Sequence, residues 1–474
     1  MAGRSTSFLR TRFVVMAWAI VCAGCCGVLR GAERPIALHP DNPHYLLWRG
    51  RPTILVTSTE HYGAVLNLDF DYVPYLDELK RHGLNLTRTF SGVYCEAPGD
   101  FGIQGNPLAP RAGRLICPFA RSDQDGYAGG GKRFDLARWD DAYFARLKDF
   151  IGAAGQRGIV VELVLFCPFY RDTMWNLSPM KASNNIQGIG RVGREEVYTL
   201  RHADLQGVQE AFVRKVVAEL RTFDNLYYEI CNEPYFGGVR LEWQHRIADV
   251  IVEAERDFEH KHLIAQNIAN GSRRVERPHP AVSIFNFHYA TPPKAVAEND
   301  HLNKVIADDE TGFKGSDDFV YRAEGWDFLV AGGAIYDNLD YSFTPDHEDG
   351  SAEPKAPGGG GATLRSQLAV LKRFIERFDF VRMRGDDAAI VGRLPENVTA
   401  RALVERGKQY AVYVRGAGLA KLVVDLPEGK YAVEWLDPVS GDSPSRETFE
   451  HSGGPRELNV PRYAQDVALR IVRR

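Results

Sequence analysis

The feature that most constrains this chain is a repeated exchange between two kinds of segment. Short, continuously apolar runs rich in β-branched residues alternate with longer stretches of helical spacing. Val160-Val161-Glu162-Leu163-Val164-Leu165-Phe166 is the clearest run. It lacks the polar alternation of a half-exposed strand, so both of its faces must be buried, as in a parallel sheet covered by helices. Similar runs predict strands at Thr53–Thr57, Asn85–Phe90, Leu226–Cys231, Leu263–Gln266, Ser283–Phe287, Val305–Ala307 and Ala334–Asn338. Between them, Asp71–His82 sets Tyr72, Tyr75, Leu76 and Leu79 on one helical face, and Gly83 follows as a stop. Asp140–Gln156, Asp204–Thr222, Leu241–Asp257, Asp317–Leu329 and Thr363–Phe378 repeat the helical pattern. Eight such strands with intervening helices predict an α/β fold, a (β/α)8 TIM barrel.

Two long segments interrupt the alternation. Ser91–Arg138, rich in Gly and Pro, follows the second strand, and Cys167–Ala203 follows the third. Both belong to the C-terminal face of the barrel, where loops build binding sites. From about Asp386 the pattern changes to short strands divided by turn residues: Leu403-Val404, Tyr410–Val414, Leu422–Val424, Tyr431–Trp435 and Val467–Ile471. That predicts a small C-terminal antiparallel β-sandwich. The expected division is a leader over residues 1–32, a barrel over 33–385 and the sandwich over 386–474. The 474 residues carry 58 Lys+Arg against 62 Asp+Glu, a formal charge of -4. No basic excess is available for a nucleic-acid partner.

Arg4, Arg10 and Arg12 precede an apolar run from Phe13 to about Leu29, with small residues at Gly31-Ala32. This is the pattern of an export signal and predicts a secreted or periplasmic protein. Cys22-Ala23-Gly24-Cys25 also fits a lipoprotein signal, which would make a lipid anchor the one route to a membrane; a single membrane-spanning anchor is the plainer alternative. Cys95, Cys117, Cys167 and Cys231 remain beyond this segment. They contain no CxxC pair and no His/Cys cluster, so no zinc site is expected. Cys95 and Cys117 flank one loop and are either a disulfide or two buried thiols. Cys167 and Cys231 end predicted strands as small apolar fillers.

Two carboxylates carry the chemistry. Asn232-Glu233-Pro234 directly follows the strand Leu226–Cys231, which places Glu233 at the barrel rim, and Pro234, lacking a ladder donor, ends the strand. Glu310 follows the apolar Val305–Ala307 within Asp308-Asp309-Glu310-Thr311-Gly312. Two acids at the mouth of one barrel suit glycoside hydrolysis. One protonates the leaving oxygen while the other attacks the anomeric carbon, at about 5–5.5 Å separation in retaining enzymes.

With these motifs the chain resembles the retaining (β/α)8 glycoside hydrolase clan, the cellulase-like group, over roughly Pro35 to Asp379. The resemblance implies that Glu233 is the acid/base and Glu310 the nucleophile. It implies that Asn232 binds the sugar 2-hydroxyl, that Arg88 in Asn85–Phe90 keeps the nucleophile ionised, and that His288-Tyr289 lie beside the site. The aromatic offered by the eighth strand departs from the clan's tryptophan, since Ala334–Phe343 has only Tyr336, Tyr341 and Phe343. Tyr410–Asp442, with Trp435-Leu436-Asp437-Pro438 before Ser440-Gly441, is similar to a domain appended to such barrels and labelled collagen-binding; collagen binding is not inferred from that label.

Further contacts to a carbohydrate are expected from His61 and Tyr62 after the first strand, and from the loop aromatics Trp175 and Tyr235, with Phe90, Tyr94, Phe169 and Tyr170 as other stacking candidates. Glu162, mid-strand, reads as an inward structural polar residue. Gly129-Gly130-Gly131-Lys132 lacks the Walker spacing and reads as a flexible loop. No metal or cofactor is implied, because the paired carboxylates suffice. A catalytically silent carbohydrate-binding protein on the same barrel is the alternative from another class, and a transglycosylase would use the same two acids.

Overall fold

The computed structural model describes residues 1–3 and 34–474. The apolar run of the expected export signal and its three cysteines lie outside the described residues. Among the described residues no helix is long and apolar enough to cross a membrane.

Eight parallel strands form the barrel wall: β1 Leu55–Thr59, β2 Leu86–Phe90, β3 Val160–Phe166, β4 Leu226–Cys231, β5 Ile264–Asn270, β6 Val282–His288, β7 Val305–Glu310 and β8 Ile335–Leu339. They run in the order β1-β8-β7-β6-β5-β4-β3-β2. The seam between β2 and β1 is bridged by one side chain. Asn85 Oδ1 accepts from Val56 N (3.0 Å), and Asn85 Nδ2 donates to Ile54 O (2.8 Å).

Among the described residues, these helices of six residues or more surround the wall: α1 Tyr72–His82, α2 Asp141–Gln156, α3 Ala203–Leu220, α4 Leu241–Ala254, α5 Lys294–Asn299, α6 Asp318–Val330 and α7 Ala362–Ile375. The sequence supplies their starts. Asp71, Asp140 and Asp317 each accept a backbone N–H of the first turn of α1, α2 and α6, satisfying donors that a helix cannot pair internally. Gly83 closes α1 at φ 74°, a left-handed conformation that costs glycine little.

The Gly/Pro-rich segment after β2, expected as loop, contains a hairpin, Phe119–Asp125 against Lys132–Trp139. Its inward Phe134 and Leu136 are buried, an alternation masked by the polar tip. Gly129–Lys132 lies at the turn of this hairpin.

The C-terminal part is a six-stranded antiparallel sheet facing a three-stranded one. Tyr410, Val412, Leu422, Val424, Tyr431 and Trp435 fill the space between them. Arg384–Gly385 already pairs with Leu403-Val404. The sandwich docks on α6. Trp326 stacks on Tyr413 at 5.3 Å, and Arg322 donates two bonds of 3.0 Å to Asp466. Residues 34–474 accordingly form one unit.

Candidate active site

Each residue singled out at a strand end reaches the same mouth of the barrel, and local irregularities of the backbone aim them. The β6–β7 ladder shifts register after Phe287, so that His288 pairs with Glu310 and Asp309 is passed over. Bulges of this kind re-aim side chains beside active sites. Glu233 has φ 34°, Tyr62 φ 56° and Tyr289 φ 54°. Three adjacent non-glycine residues in the left-handed region are held there by their surroundings, as at strained functional sites.

Glu310 is gripped from four sides. Tyr62 Oη donates to Oε2 (2.9 Å), Arg88 Nη1 donates to Oε2 (3.2 Å), and Tyr289 Oη donates to Oε1 (3.2 Å). His288 Nδ1 stands 3.4 Å from Oε1. Burial pushes the Glu310 carboxyl up, but His288, Arg88 and His61 outweigh it and hold it well below the usual carboxylate range. Its neighbours behave oppositely. Burial raises Asp308 and Asp309 well above the ordinary aspartate value, and neither lines the cavity that Glu310 lines. Of the three acids in this run, Glu310 alone is presented to a ligand as a carboxylate.

Glu233 receives the other set of donors. Tyr170 Oη donates to its Oε2 (2.6 Å) and Tyr235 Oη to its Oε1 (3.2 Å). His288 Nδ1 lies 3.2 Å from the same Oε1, so one imidazole N–H faces both carboxylates. Burial works against a charge on His288, yet Glu310, Asp309 and Glu233 outweigh it and hold its pKa well above the usual imidazole range. Facing oxygens of Glu233 and Glu310 lie within 4.8 Å of each other.

Below this layer Arg88 is fully buried. Its Nε and Nη2 donate to Glu229 Oε2 (3.1 and 2.6 Å), and Nη2 also donates to Asn232 Oδ1 (2.7 Å). Asn232 Nδ2 donates to Tyr170 Oη (2.9 Å). Arg88 thus fixes Asn232, and Asn232 in turn orients the phenol on Glu233. Glu162 accepts from Tyr227 Oη (2.9 Å) and Asn286 Nδ2 (2.7 Å), as an inward structural residue. Among the described residues two groups of side chains have ligand atoms close enough for a metal ion, Glu233/His288/Glu310 and Glu162/Glu229/Asp309. The first is joined by hydrogen bonds through His288. In the second the guanidinium of Arg88, which keeps its proton in proteins, already stands between the carboxylates.

The two acids open into a cavity of about 350 Å³ whose lining includes His61, Tyr62, Glu96, Phe101, Tyr170 and Phe236. This size is at the small end of ligand pockets. No protein-family model matches the chain, and no curated protein matches it in sequence. Solved structures do match in shape. A glycoside hydrolase family 5 protein from Bacteroides vulgatus superposes with a TM-score of 0.63 at 15% identity, covering 93% of this chain and 92% of that one. A provisionally assigned glycoside hydrolase from the same organism gives 0.65 at 14% identity, over 93% of this chain and 83% of its own. A third, described simply as a glycoside hydrolase, gives 0.63 at 15%, over 93% and 97%. The fold is that of these glycoside hydrolases.

On this glycoside hydrolase fold the remaining expected residues divide. His61 lines the cavity and pairs with Glu96 at 3.4 Å. Tyr62, expected on a sugar, lines the cavity and also donates to Glu310. Tyr235 bonds Glu233 and Asn270 (2.5 Å). Trp175, also expected on a sugar, is a correction: it is 1% exposed, packs on Phe169 at 4.8 Å and donates to Val192 O, inside the loop after β3. Cys95 and Cys117 are free buried thiols, and Cys167 is not only filler but lines the cavity. Glu96, Phe101, Phe313 and Asn270 line the cavity without having been singled out. Only the position of Glu96, Phe101 and Phe313 on rim loops, and of Asn270 at the end of β5, could have marked them.

Proposed function

We propose that the protein is a retaining glycoside hydrolase in which Glu310 is the nucleophile and Glu233 the general acid/base. The observation that carries the reading is the pair itself: two carboxylates within 4.8 Å at the floor of one cavity, joined through His288. A pair this close fits direct attack by a carboxylate, as in retaining enzymes. Glu310, kept ionised by Arg88 and His288 with phenols from Tyr62 and Tyr289, attacks the anomeric carbon. Glu233 gives its proton to the departing oxygen. A glycosyl ester forms on Glu310 as the aglycone leaves. Glu233, now a carboxylate, takes a proton from water, which attacks the same carbon and releases Glu310. Tyr170 and Tyr235 steady Glu233 in both protonation states, because a phenol can donate to the carboxylate and accept from the acid. Asn232, tied to Arg88, presents its remaining capacity to the sugar 2-hydroxyl. The Arg-led apolar segment at the start of the sequence supports export of this enzyme.

The test is hydrolysis of a panel of aryl glycosides and plant and microbial polysaccharides by the wild type, Glu233→Ala and Glu310→Ala, with azide added to each variant. Loss of turnover in both, with azide rescue giving glycosyl azides of opposite anomeric configuration, is the expected result. Sugar binding unaffected by either substitution, with no turnover on any substrate, would favour the silent binding protein instead.

A further inference from the structure

We infer that the cavity takes a single sugar at the non-reducing end of its substrate, so that the protein trims chains from that end. This rests on the assignment of Glu233 and Glu310 above. The acid must stand on the side of the departing oxygen, so the aglycone lies toward Glu233 and the sugar under attack lies toward Glu310. The two sides differ sharply. Next to Glu233 the wall is open: Phe236 is 43% exposed, and Asn270, bonded by Tyr235, faces solvent. Beyond Glu310 the space ends against His61 (7% exposed), Glu96 (4%), Tyr94 (2%) and Leu108 (1%).

An aromatic arch roofs this blind end. Tyr170 meets Phe101 edge-on at 5.5 Å, Phe101 meets Phe313 at 6.2 Å, and Phe313 meets Tyr341 at 6.3 Å. These four residues come from the loops after β3, β2, β7 and β8, so the arch spans the mouth above β1 and β2. It is built rather than draped. Asp100 pairs with Arg171 (3.1 Å), whose guanidinium covers the Phe101 ring at 5.2 Å. Phe101 itself has φ 55°, between Gly99 and Gly102, both also left-handed. Gln104 N donates to Lys355 O (3.0 Å), and a Cβ on Gly105 would stand 2.8 Å from Thr344. The β2 and β8 loops therefore meet with no passage for a second sugar.

At the end wall Glu96 accepts from Tyr94 Oη (3.1 Å) and Asn106 Nδ2 (2.5 Å). The adjacent, buried His61 turns Nε2 to within 3.4 Å of Glu96 Oε2, and its Nδ1 has no hydrogen-bond partner. This pair is placed to read the hydroxyls of the terminal ring farthest from the scissile bond.

The test uses gluco-, manno-, galacto- and xylo-oligosaccharides labelled at the reducing end. Labelled products shortening one residue at a time, with free monosaccharide released, are expected. Labelled fragments from internal cleavage at early times would overturn the inference while leaving the hydrolase intact, provided Glu310→Ala abolishes them. Absence of any Glu310-dependent cleavage would remove both. A second readout is covalent labelling. A 2-deoxy-2-fluoro glycoside of one sugar should esterify Glu310, and the same reagent extended by a sugar at its non-reducing end should not. The double variant Phe101→Ala, Phe313→Ala should raise labelling by the extended reagent by roughly 10–100-fold, the scale of discrimination pocket contacts supply. Equal labelling of the wild type by both reagents would overturn the inference.

Discussion

Replacing Arg88 by methionine tests the electrostatic logic of the site most directly. Arg88 is fully buried and donates to Glu229, Asn232 and Glu310, with Asp309 at 3.4 Å. A guanidinium beside a carboxylate lowers that carboxylate's pKa by about 1–3 units. Its loss should therefore raise the Glu310 pKa by a similar amount, roughly 1.4–4 kcal/mol of lost preference for the ionised form. Since Glu310 must be ionised to attack, the acid limb of kcat/KM should move upward by about 1–3 pH units. Stability should change as well. Wild-type Glu310 has a depressed folded pKa, so its stabilising contribution is present above its unfolded value and is lost only as pH falls through the much lower folded one. Without Arg88, Glu310, Glu229 and Asp309 are left with one fewer cation. The variant should lose about 3–5 kcal/mol at neutral pH and lose less at acid pH, where Glu310 can take up a proton. Urea unfolding from neutral to acid pH measures the second effect, and pH–rate profiles on a cleaved aryl glycoside measure the first. Arg88→Lys, which keeps a charge, guards against simple unfolding and should show a smaller shift of the same sign. A folded variant whose acid limb stays in place would refute the coupling of Arg88 to Glu310.

Three further outcomes are expected. Tyr170→Phe removes a 2.6 Å donor from Glu233 and should lower kcat/KM by the equivalent of about 1.5–3 kcal/mol with little change in thermal stability. Burial pushes the Glu60 carboxyl up to about 7 from an ordinary 4.5, against the lowering effect of the Gly63 and Ala64 amides. A raised folded pKa in an acid means that stability is lost as pH climbs from the unfolded value through the folded one. Glu60→Gln should therefore gain on the wild type by roughly 3 kcal/mol between those pH values, read as the pH dependence of the difference between their urea midpoints. Trp326→Ala deletes a fully buried ring at the joint of barrel and sandwich and should cost about 3–5 kcal/mol in a chemical unfolding experiment.

The barrel was legible because its strands are buried on both faces. Val160–Phe166 and Leu226–Cys231 match the structure to the residue; the other starts differ by at most two residues, and the largest differences are at C-terminal ends where apolar runs continue into polar residues, as in Ile264–Asn270 and Val305–Glu310. Val305–Glu310, for example, runs through Asp308, Asp309 and Glu310, three acids that hydrophobic patterning alone would not place in a strand. The outer strands of the sandwich, Ser445–His451 and Gly454–Asn459, were missed for the same reason. Ser-Arg-Glu-Thr-Phe-Glu-His has little apolar content because most of its residues face water. At the site, strand ends predicted which residues would meet. They could not predict the role of Tyr62, whose backbone is left-handed and whose phenol reaches Glu310. Nor could composition separate Trp175, folded beneath its loop, from Tyr170, folded over the cleft. Two aromatics five residues apart on one insertion look alike until the loop closes.

The joint between barrel and sandwich bears on how such a chain can be cut and recombined. Trp326, Arg322 and Asp327 on α6 take Tyr413, Asp466, Arg401 and Arg415 as partners from the other part. A barrel truncated after α7 would keep Phe374 against the Trp326 indole and Gln367 on Arg322, but would lose the Tyr413 ring, the carboxylate partner of Arg322 and both guanidinium partners of Asp327, all on the helix that follows the strand bearing Glu310. The sandwich is thus part of the barrel's own folding unit, and grafting a different C-terminal module would require rewriting α6 along with it.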